Sequence, residues 1–490
     1  PALKSIAFLT LLIAFQLPVN SLISGEALQL IQIDPAKSGL DFIYFDGSRG
    51  RFDLPEIMGG GMAVADFNND GLLDLFFCQG GPITSDELKP GQPNADPHCQ
   101  FYQNLGEMQF KRLEIPSSPG PSYAMGAWPA DFNHDGKIDL LVTGWRDWRL
   151  YQNLGDWKFK DVTRQLPGKP PAWSTAAVWA DFNRDGHPDL FVGGYLDYDA
   201  AKAPFCAAPD GRRDYCGPED FPAVPDRLYF GDGGGKFTDV TAQSGLTKAD
   251  PARALGVIAF DCNADNLLDL FVANDGTANH LWIQNANGQF TEEAVSRQVA
   301  FAAGGEPLAG MGVAALHFNQ QNSIGLLVTN FHGRGTVLFE SIRGGVFADR
   351  STTRGLQQAT RNFNGFGMIA EDLDGDGLPE VVQANGHVLS RERLGTPLKM
   401  PISMLSVDRQ GNFLPVPAKC NPVSDMKMLG RGLLAADLDN DGKTDLIATR
   451  LDGPPVLLKN RSNVAMPQKS SSGNRLKISG GSYLSGYAPK

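Results

Sequence analysis

The sequence predicts an all-β protein, a seven-bladed β-propeller with four antiparallel strands in each blade. One pattern recurs seven times along the 490 residues: a run of small and apolar residues, an acidic loop and a second apolar run. Two further short runs follow each copy, which gives four strands per unit. Repeats of 50 to 80 residues that each hold four strands are typical of propellers, whose blades close into a ring.

The strands of each unit are located by the acidic loop that separates the first two. The seven loops begin at Asp66, Asp131, Asp181, Asp261, His317, Asp372 and Asp437. One run precedes the loop (61–65 in the first unit) and another follows it (268–273 in the fourth). The third run carries an aromatic or leucine pair (149–153), and the fourth follows a glycine-containing turn (237–241). Each unit is therefore predicted to hold strands A to D in that order.

Closure of the ring is predicted from the two ends of the chain. The seventh unit runs through 456–460 and then lacks its fourth strand. Residues 28–40 supply a matching run near the N-terminus, and they end in Ser-Gly-Leu as the third unit does. We expect this run to form the outer strand of the last blade, which removes the exposed edges that an open array would leave. A linear solenoid is the alternative.

The acidic loops predict calcium sites. Positions 1, 3, 5 and 9 carry side-chain oxygens and position 6 is usually glycine, as in the opening of an EF-hand loop. Calcium takes about six to eight oxygen ligands, whereas magnesium requires a strict octahedron. Six loops fit, which predicts about six structural Ca²⁺ sites. Their ligands are Asp66, Asn68, Asp70 and Asp74; Asp131, Asn133, Asp135 and Asp139; Asp181, Asn183, Asp185 and Asp189; Asp261, Asn263, Asp265 and Asp269; Asp372, Asp374, Asp376 and Glu380; and Asp437, Asp439, Asp441 and Asp445. The alternative for each loop is a turn rich in Asp, Asn and Gly that holds no metal.

The seven copies differ in how well they fit a cation. The loops at Asp372 and Asp437 carry four carboxylates each and are expected to bind most tightly. The first four loops have Asn at position 3, and the fourth has Asn266 in place of the glycine. The fifth loop, which begins at His317, has no carboxylate and is expected to bind no metal. Because no acid, base or nucleophile accompanies the loops, these metals are expected to be structural.

Charge and cysteine content limit the environment and the partners. The formal net charge is −12 and no basic run has the density of a phosphate-binding patch, so nucleic acid is not an expected partner. Six cysteines in an exported chain suggest disulfides. The Pro/Gly-rich insertion that holds Cys206 and Cys216 makes them the first predicted pair, and Cys78 with Cys99 is the second. The pairing of Cys262 and Cys420 is left open.

The chain is divided into three parts. Residues 1–27 are predicted to be a signal peptide, because an apolar run too short to span a bilayer follows Lys4. A retained membrane anchor or an apolar assembly helix is the alternative, and it would be the one route to a membrane. Residues 28–462 are the propeller, and residues 463–490 are a Ser/Gly-rich segment expected to be a flexible tail or to pair with another surface. The expected location is secreted, extracellular or periplasmic.

The units resemble the FG-GAP/VCBS repeats of integrin α-subunit propellers and of many secreted bacterial proteins. A fuller resemblance, over about residues 28–461, is to the cartilage-acidic-protein-like (ASPIC/UnbV) group. It rests on the segments 55–61 (Pro-Glu-Ile-Met-Gly-Gly-Gly), 273–275 (Ala-Asn-Asp) and 384–387 (Ala-Asn-Gly-His), and on Cys216 ahead of 226–229. That group continues into a C-terminal domain, of which this chain retains fragments at 460–463 and 481–485.

Function is expected on the face opposite the acidic loops. The long insertions, 79–98 and 195–225, are both connections between strands B and C, which lie on that face. Elaborated loops on a rigid scaffold are a usual place for recognition. The same face collects Trp145, Trp148, Trp173, Asn274, Asp275, His280, Asn330, His332, Asn385 and His387. For the tryptophans, packing between blades competes with sugar stacking; for the Asn, Asp and His groups, turn hydrogen bonding competes with ligand contact.

The sequence thus predicts a secreted, calcium-stabilised propeller that acts as a non-catalytic binding, adhesion or assembly module. Its expected partner is an extracellular protein or a glycan. Three alternatives remain: a lectin-like glycan binder, a self-assembling filament subunit, and a polysaccharide-acting enzyme that would depend on His332 or His387.

Overall fold

The computed structural model describes residues 28–83, 98–115, 120–318, 323–390, 392, 395–462, 479–480 and 485–487. Seven antiparallel units of four strands form the blades, so the predicted seven-bladed propeller is confirmed. In each blade the strands are hydrogen-bonded in the order A, B, C, D, from the central channel outwards. The predicted signal peptide, residues 1–27, lies outside the described residues.

The strands of the first four blades are as follows. Blade one holds β2 (Met62–Ala65), β3 (Asp74–Phe77), β4 (Gln100–Asn104) and β5 (Phe110–Arg112). Blade two holds β6 (Ala124–Ala130), β7 (Asp139–Gly144), β8 (Arg149–Asn153) and β9 (Phe159–Asp161). Blade three holds β10 (Ser174–Ala180), β11 (Asp189–Gly194), β14 (Arg227–Gly231) and β15 (Phe237–Asp239), with an inserted hairpin of β12 (Cys206–Ala207) and β13 (Arg213–Asp214). Blade four holds β16 (Ala254–Phe260), β17 (Asp269–Asn274), β18 (His280–Gln284) and β19 (Phe290–Glu292).

The last three blades complete the ring. Blade five holds β20 (Val313–Phe318), β21 (Ser323–Val328), β22 (Val337–Arg343) and β23 (Val346–Asp349). Blade six holds β24 (Gly365–Glu371), β25 (Glu380–Asn385), β26 (Ser403–Val407) and β27 (Phe413–Pro415). Blade seven holds β28 (Gly430–Ala436), β29 (Asp445–Arg450), β30 (Val456–Asn460) and β1 (Leu30–Ile33).

The N-terminal strand closes the ring as predicted. Strand β1 pairs antiparallel with β30, from Leu30 opposite Asn460 to Ile33 opposite Leu457. Leu28 and Leu30 are buried in the core between blades six and seven. The last blade therefore depends on residues from both ends of the propeller.

Blades pack face to face, which explains the apolar character of their inner strands. All seven residues of β16 are buried, as are all six of β17. A strand covered on both faces has no solvent side, so it shows no polar alternation. The outer strand β9 has no buried residue, because it lies at the rim.

A short segment after β1 covers the channel on the face opposite the acidic loops. A 3-10 helix, Leu54–Ile57, is held by Tyr123, whose hydroxyl donates to the Pro55 carbonyl at 2.9 Å. Leu54 and Met58 pack against residues at the start of inner strands from several blades, including Met125 and Phe366. The other helices are α1 (Pro35–Ser38), α2 (Leu356–Thr360) and the 3-10 helices Thr163–Gln165, Pro218–Asp220 and Leu246–Lys248.

Part of the C-terminal segment pairs with the inner strands. Strand β31 (Ser479–Gly480) pairs antiparallel with β16, and β32 (Ser485–Tyr487) pairs parallel with β2. These five residues are the described part of the segment 463–490, and the expectation for that segment stays a prediction. None of the helices within the described ranges has the length and apolarity needed to cross a bilayer.

Candidate functional site

Each acidic loop is folded around its own carboxylates, as the first loop shows. Asp66 accepts the amide hydrogens of Asp70 and Gly71 at 3.1 and 2.9 Å. Asp74, at position 9, accepts from Phe67 at 3.0 Å and from Asn104 on strand C at 2.9 Å. The position-9 carboxylate therefore connects the loop to the third strand. The equivalent side chains Asp139, Asp189, Asp269 and Asp445 accept from strand C in the same way.

Neighbouring loops are also linked to one another. The side chain of Asn69 donates to the Gly136 carbonyl of the second loop at 3.0 Å, and Asn440 of the seventh loop donates to Gly71 at 3.0 Å. His134 and His187, in the second and third loops, are 3.1 Å apart at their ring nitrogens. The acidic loops thus form a connected arc on one face, and this arc crosses the junction between the last blade and the first.

The position-9 carboxyls lie where negative charge is poorly solvated. Burial raises the pKa of Asp74 to about 7 and that of Asp139 to about 8, and the carboxylates at positions 1 and 5 add to each rise. Burial likewise raises the pKa of Glu380 to about 9, with repulsion from Asp374 as a second cause. Such a cluster is stabilised by a cation, because a divalent ion offsets both the burial and the repulsion.

The two all-carboxylate loops bring their oxygens closest together. In Asp372, Asp374 and Glu380, one oxygen from each lies within 4.8 Å of the others, and the same holds for Asp437, Asp439 and Asp445. Oε1 of Glu380 and Oδ1 of Asp439 are buried and accept no hydrogen bond from the described residues. Buried acceptors without a donor are costly unless an ion or a water satisfies them. The predicted residues therefore fit a hard cation such as calcium, and the chemistry it would supply is charge neutralisation.

In the first four loops, the Asn at position 3 donates a hydrogen bond to the acid at position 5. The amide of Asn68 donates to Asp70 at 2.8 Å, and Asn183 and Asn263 donate to the acid at position 5 at 2.9 Å. This internal bond explains why an Asn at position 3 still gives a stable loop. It also places one neutral oxygen donor among the predicted ligands.

A lysine that sequence reasoning missed lies in the seventh loop. The ammonium of Lys459 forms an ion pair with Asp439 and lies 3.4 Å from Asp441. Lys459 is on strand C, where the first two blades carry Gln103 and Gln152. Because the ammonium occupies carboxylates predicted to bind calcium, this loop is expected to bind less tightly than its four acids alone suggest.

In the fifth blade, strands A and B stay paired over the positions where the other blades have the start of the acidic loop. His317 pairs with Ile324, and Phe318 pairs with Ser323, beyond the point where strands A and B separate in the other blades. Burial lowers the pKa of His317, which disfavours a charged ring. Residues 319–322 lie outside the described part of the chain. The paired backbone around them leaves no nine-residue loop that could surround an ion.

On the opposite face, most of the predicted contact residues are structural. Trp145, Trp148 and Trp173 are at most 2% exposed, which agrees with packing between blades and not with an exposed stacking surface. Asn274 donates to the Ala278 carbonyl at 2.8 Å, and Asn385 donates to the Pro401 carbonyl at 2.8 Å. These side chains hydrogen-bond to backbone carbonyls in the connecting loops, which agrees with the interpretation that they stabilise turns.

Asp275 and Asn330 likewise hydrogen-bond within the protein, and His280 packs against an aromatic ring. Asp275 accepts from the Tyr195 hydroxyl at 2.8 Å, and burial raises its pKa to about 6. Asn330 accepts the amide of Ala309 at 3.1 Å, and His280 is buried beside Trp282. His332 and His387 do come together, with ring centroids 6.0 Å apart.

This face carries a cavity of about 930 Å³. Its walls come from the segment before β2, from the inserted hairpin of blade three, and from the loops of blades six and seven. Its lining includes Phe52, Glu56, Tyr215, His387 and Arg431. The long insertion predicted to elaborate this face therefore forms one wall of a cavity.

A disulfide holds the hairpin that forms this wall. Cys206 and Cys216 are bonded, as predicted, and they flank β12 and β13. The second predicted disulfide is not formed: Cys78 and Cys99 are both buried thiols. The sulfur of Cys99 accepts the amide of Gln79 at 3.4 Å, and its thiol hydrogen-bonds with Cys78. Cys262 and Cys420 lie in separate core clusters and are not bonded to each other.

Sequence reasoning missed the charged residues at the floor of the cavity. Glu56 is 2% exposed and accepts from the Tyr215 hydroxyl at 2.8 Å. Arg431 is 1% exposed, donates to the Ile57 carbonyl at 3.1 Å, and lies 3.9 Å above the Phe366 ring. Glu56 lies within the Pro-Glu-Ile-Met-Gly-Gly-Gly segment. An acid inside an apolar run is the sequence feature that could have indicated a buried functional carboxyl group.

The glycines of that segment allow the close approach. A Cβ on Gly59 would collide with the Tyr44 hydroxyl, and Gly60 has a φ of +94°. Both positions therefore require glycine. The segment is thus built to seat the 3-10 helix, and Glu56 with it, over the channel.

Comparison with known families agrees with this architecture. Residues 131–192, which cover the second acidic loop and the start of the third unit, match the model of the FG-GAP-like repeat family. This match lies within one part of a ring of seven four-stranded blades, so the protein is a seven-bladed β-propeller that contains an FG-GAP-like repeat, and propellers with such repeats are commonly used for binding or adhesion. The chain is also similar to cartilage acidic protein 1 of Mus musculus, with 27% identity over 222 residues. That match covers 43% of this chain and 30% of the relative.

Solved structures resemble the chain only loosely. One is a lectin of Agrocybe aegerita that recognises non-reducing terminal N-acetylglucosamine, with 14% identity, a TM-score of 0.41, and coverage of 92% of this chain and 98% of that one. Another is BBS1N in complex with ARL6DN, with 10% identity, a TM-score of 0.44, and coverage of 87% and 98%. A third is YCF48 bound to D1 peptide, with 8% identity, a TM-score of 0.43, and coverage of 86% and 97%. Similarity at this level has no bearing on what this protein binds.

Proposed function

We propose that this protein is a secreted, calcium-stabilised propeller that acts as a non-catalytic binding or adhesion module, with an extracellular protein or a glycan as its partner. The observation that carries the proposal is the cavity of about 930 Å³ on the face opposite the acidic loops. One of its walls is the disulfide-bonded hairpin inserted between strands B and C of blade three. Binding sites are concave and are often built from loops on a rigid scaffold.

Calcium would serve the scaffold in this proposal. In five of the six loops the position-9 carboxylate accepts from strand C of the same blade, and the first loop contacts the loops on both sides of it. Neutralising the carboxylates would hold strands A, B and C together in each of six blades. The binding face would then be kept rigid from the opposite side of the ring.

The binding role can be tested by filling the cavity. Ala208 lines the cavity, and Ala201 lies in the same insertion but outside the lining. We expect the labelled full chain and Ala201→Trp to bind probes on a printed array of extracellular-matrix proteins and glycans, and Ala208→Trp to lose that signal. Binding that survives Ala208→Trp, or an array without any signal, would contradict the proposal.

A second candidate, a polysaccharide-acting enzyme, is favoured by one observation. His332 and His387 approach each other, and His387 lines the cavity. However, Nδ1 of His387 accepts the amide of Leu389 at 2.9 Å, so this nitrogen already has a hydrogen-bond partner. Turnover of a uronic-acid polymer by the wild type that is abolished in His387→Gln would establish this activity. An absence of turnover would leave the binding role.

A further inference from the structure

Among the described residues, the lining of the cavity carries more acid than base. The carboxyl groups found there are Asp46, Glu56, Asp210, Asp214 and Glu392, and the guanidinium groups are Arg212, Arg213 and Arg431. His387 contributes an imidazole. A ligand that meets these described residues faces more carboxyl than guanidinium groups, which favours a cationic group.

Two of the three arginines are already engaged. Arg212 forms an ion pair with Asp210 at 2.5 Å at the tip of the hairpin. Arg431 donates to the carbonyls of Ile57 and Gly430 at 3.1 and 2.8 Å. Both guanidinium groups thus have protein acceptors, and the charge of Arg212 is balanced by Asp210.

Glu56 is a buried acid with one oxygen that lacks a hydrogen bond. Tyr215 donates to Oε2 at 2.8 Å, while Oε1 is buried and accepts no hydrogen bond from the described residues. Burial raises the pKa of Glu56, and hydrogen bonds from Tyr215, the Asp53 backbone and Ser48 oppose that rise. A buried carboxylate oxygen without a donor is destabilising unless a donor or a cation reaches it.

Two aromatic rings stand beside this carboxyl. Phe52 and Tyr215 both line the cavity, with ring centroids 5.2 Å apart and planes at 71°. Phe52 has a φ of 61°, a conformation that is strained for a bulky residue. Strain of this kind persists where the surroundings require it, and it recurs at ligand sites. Here it holds the Phe52 ring against Tyr215 in the wall of the cavity.

We propose that the cavity binds a protonated amine, which lies against the Phe52 and Tyr215 rings and forms an ion pair with Glu56. An ammonium group is attracted by the faces of aromatic rings and by a carboxylate, and this site offers both. The amine is carried either by a lysine side chain of a peptide or by a small free amine. The inference rests on the proposed binding role, since it names the chemistry of the same cavity.

Calorimetric titration of the full chain in calcium tests this chemistry. The probes are an acetylated and amidated Gly-Lys-Gly peptide, 1,5-diaminopentane and, as a neutral saccharide, N-acetylglucosamine. We expect at least one amine to bind and the saccharide not to bind. A peptide preference over 1,5-diaminopentane assigns the amine to a protein partner, whereas the reverse assigns it to a free amine.

Variants locate the binding. Glu56→Gln removes the charge with little change in shape and is expected to weaken amine binding at least about tenfold. Glu114→Gln is the matched control, because that side chain is 89% exposed and lies outside the lining. Phe52→Leu, which removes the ring, is a second variant and is expected to weaken binding in the same direction.

The outcomes separate this inference from the binding role. Saccharide binding without amine binding, or amine binding unchanged in both Glu56→Gln and Phe52→Leu, would overturn the amine assignment and leave a cavity that binds. Failure of all three probes would overturn the amine assignment as well. The binding role is decided separately by the array experiment. It is contradicted if the array gives no signal or if binding survives in Ala208→Trp.

Discussion

At the scale of single residues, the acidic loops can be predicted from the sequence because all their predicted ligands lie close together in it. The ligand positions lie within nine residues, and glycine or asparagine at position 6 permits the turn. Glu56 and Lys459 could not be found in this way. Glu56 meets Tyr215 across 159 residues, and Lys459 reaches Asp439 across a strand pairing. Only the ring brings these groups together.

Lys459 gives a prediction for the seventh loop. Replacing it in Lys459→Gln removes an ammonium that competes with calcium for Asp439 and Asp441. We expect calcium to bind this loop about tenfold more tightly in the variant, equivalent to about 1.4 kcal/mol. Titration with terbium luminescence would measure the change. Lys443→Gln, which removes a lysine that forms no ion pair within the described chain, should leave the affinity within about twofold.

At the scale of elements, the sequence predicted the four strands of each blade and the N-terminal strand that completes the last one. This was possible because each unit could be compared with the six other copies of the repeat. The insertion of blade three has no such template. Its disulfide was predicted from the two cysteines in one loop, but its place beside the cavity involves contacts of Tyr215 with Phe52 and Glu56, which lie far away in the sequence. The false Cys78–Cys99 pair shows the same limit, since proximity in sequence did not fix the sulfur geometry.

Strand β1 gives a prediction about closure. A chain that begins at residue 34 loses four residues paired with β30 and the buried side chains Leu28 and Leu30. Burial of a leucine contributes about 1.5–3 kcal/mol, and an open blade edge invites association. We expect a markedly lower melting temperature and concentration-dependent aggregation, followed by calorimetry and light scattering. A chain that begins at residue 28 is the control; equal stability of the two chains would show that β1 does not close the ring.

At the scale of the whole molecule, the two faces of the propeller have separate roles. The acidic loops form an arc on one face, and the insertion and the cavity lie on the other. The repeat could predict the first face because it is built seven times. The second face is built once, from three distant parts of the chain, so its cavity could not be predicted.

The acid loops also predict how pH acts on the metal-free protein. The folded pKa of Glu380 is about 9 and that of Asp139 about 8, both above the usual values of unfolded acids. A raised folded pKa means that these groups destabilise the fold fully above the folded pKa, and that this penalty shrinks as pH falls from there towards the ordinary values of 4.5 and 3.8. In chelator, we therefore expect a higher melting temperature at pH 6 than at pH 9. A lower melting temperature at pH 6 would mean that these carboxylates are not repulsive.

The most direct test of the account is the melting temperature of the full chain at about pH 7.5, measured in about 2 mM calcium and in excess EGTA. A ligand that binds only the native state stabilises it on the order of RT ln(1 + [L]/Kd) per site. Magnesium at the same concentration is the control for ionic strength. The account predicts a melting temperature that is higher by many degrees in calcium than in EGTA or magnesium. A melting temperature that is the same in all three would contradict it.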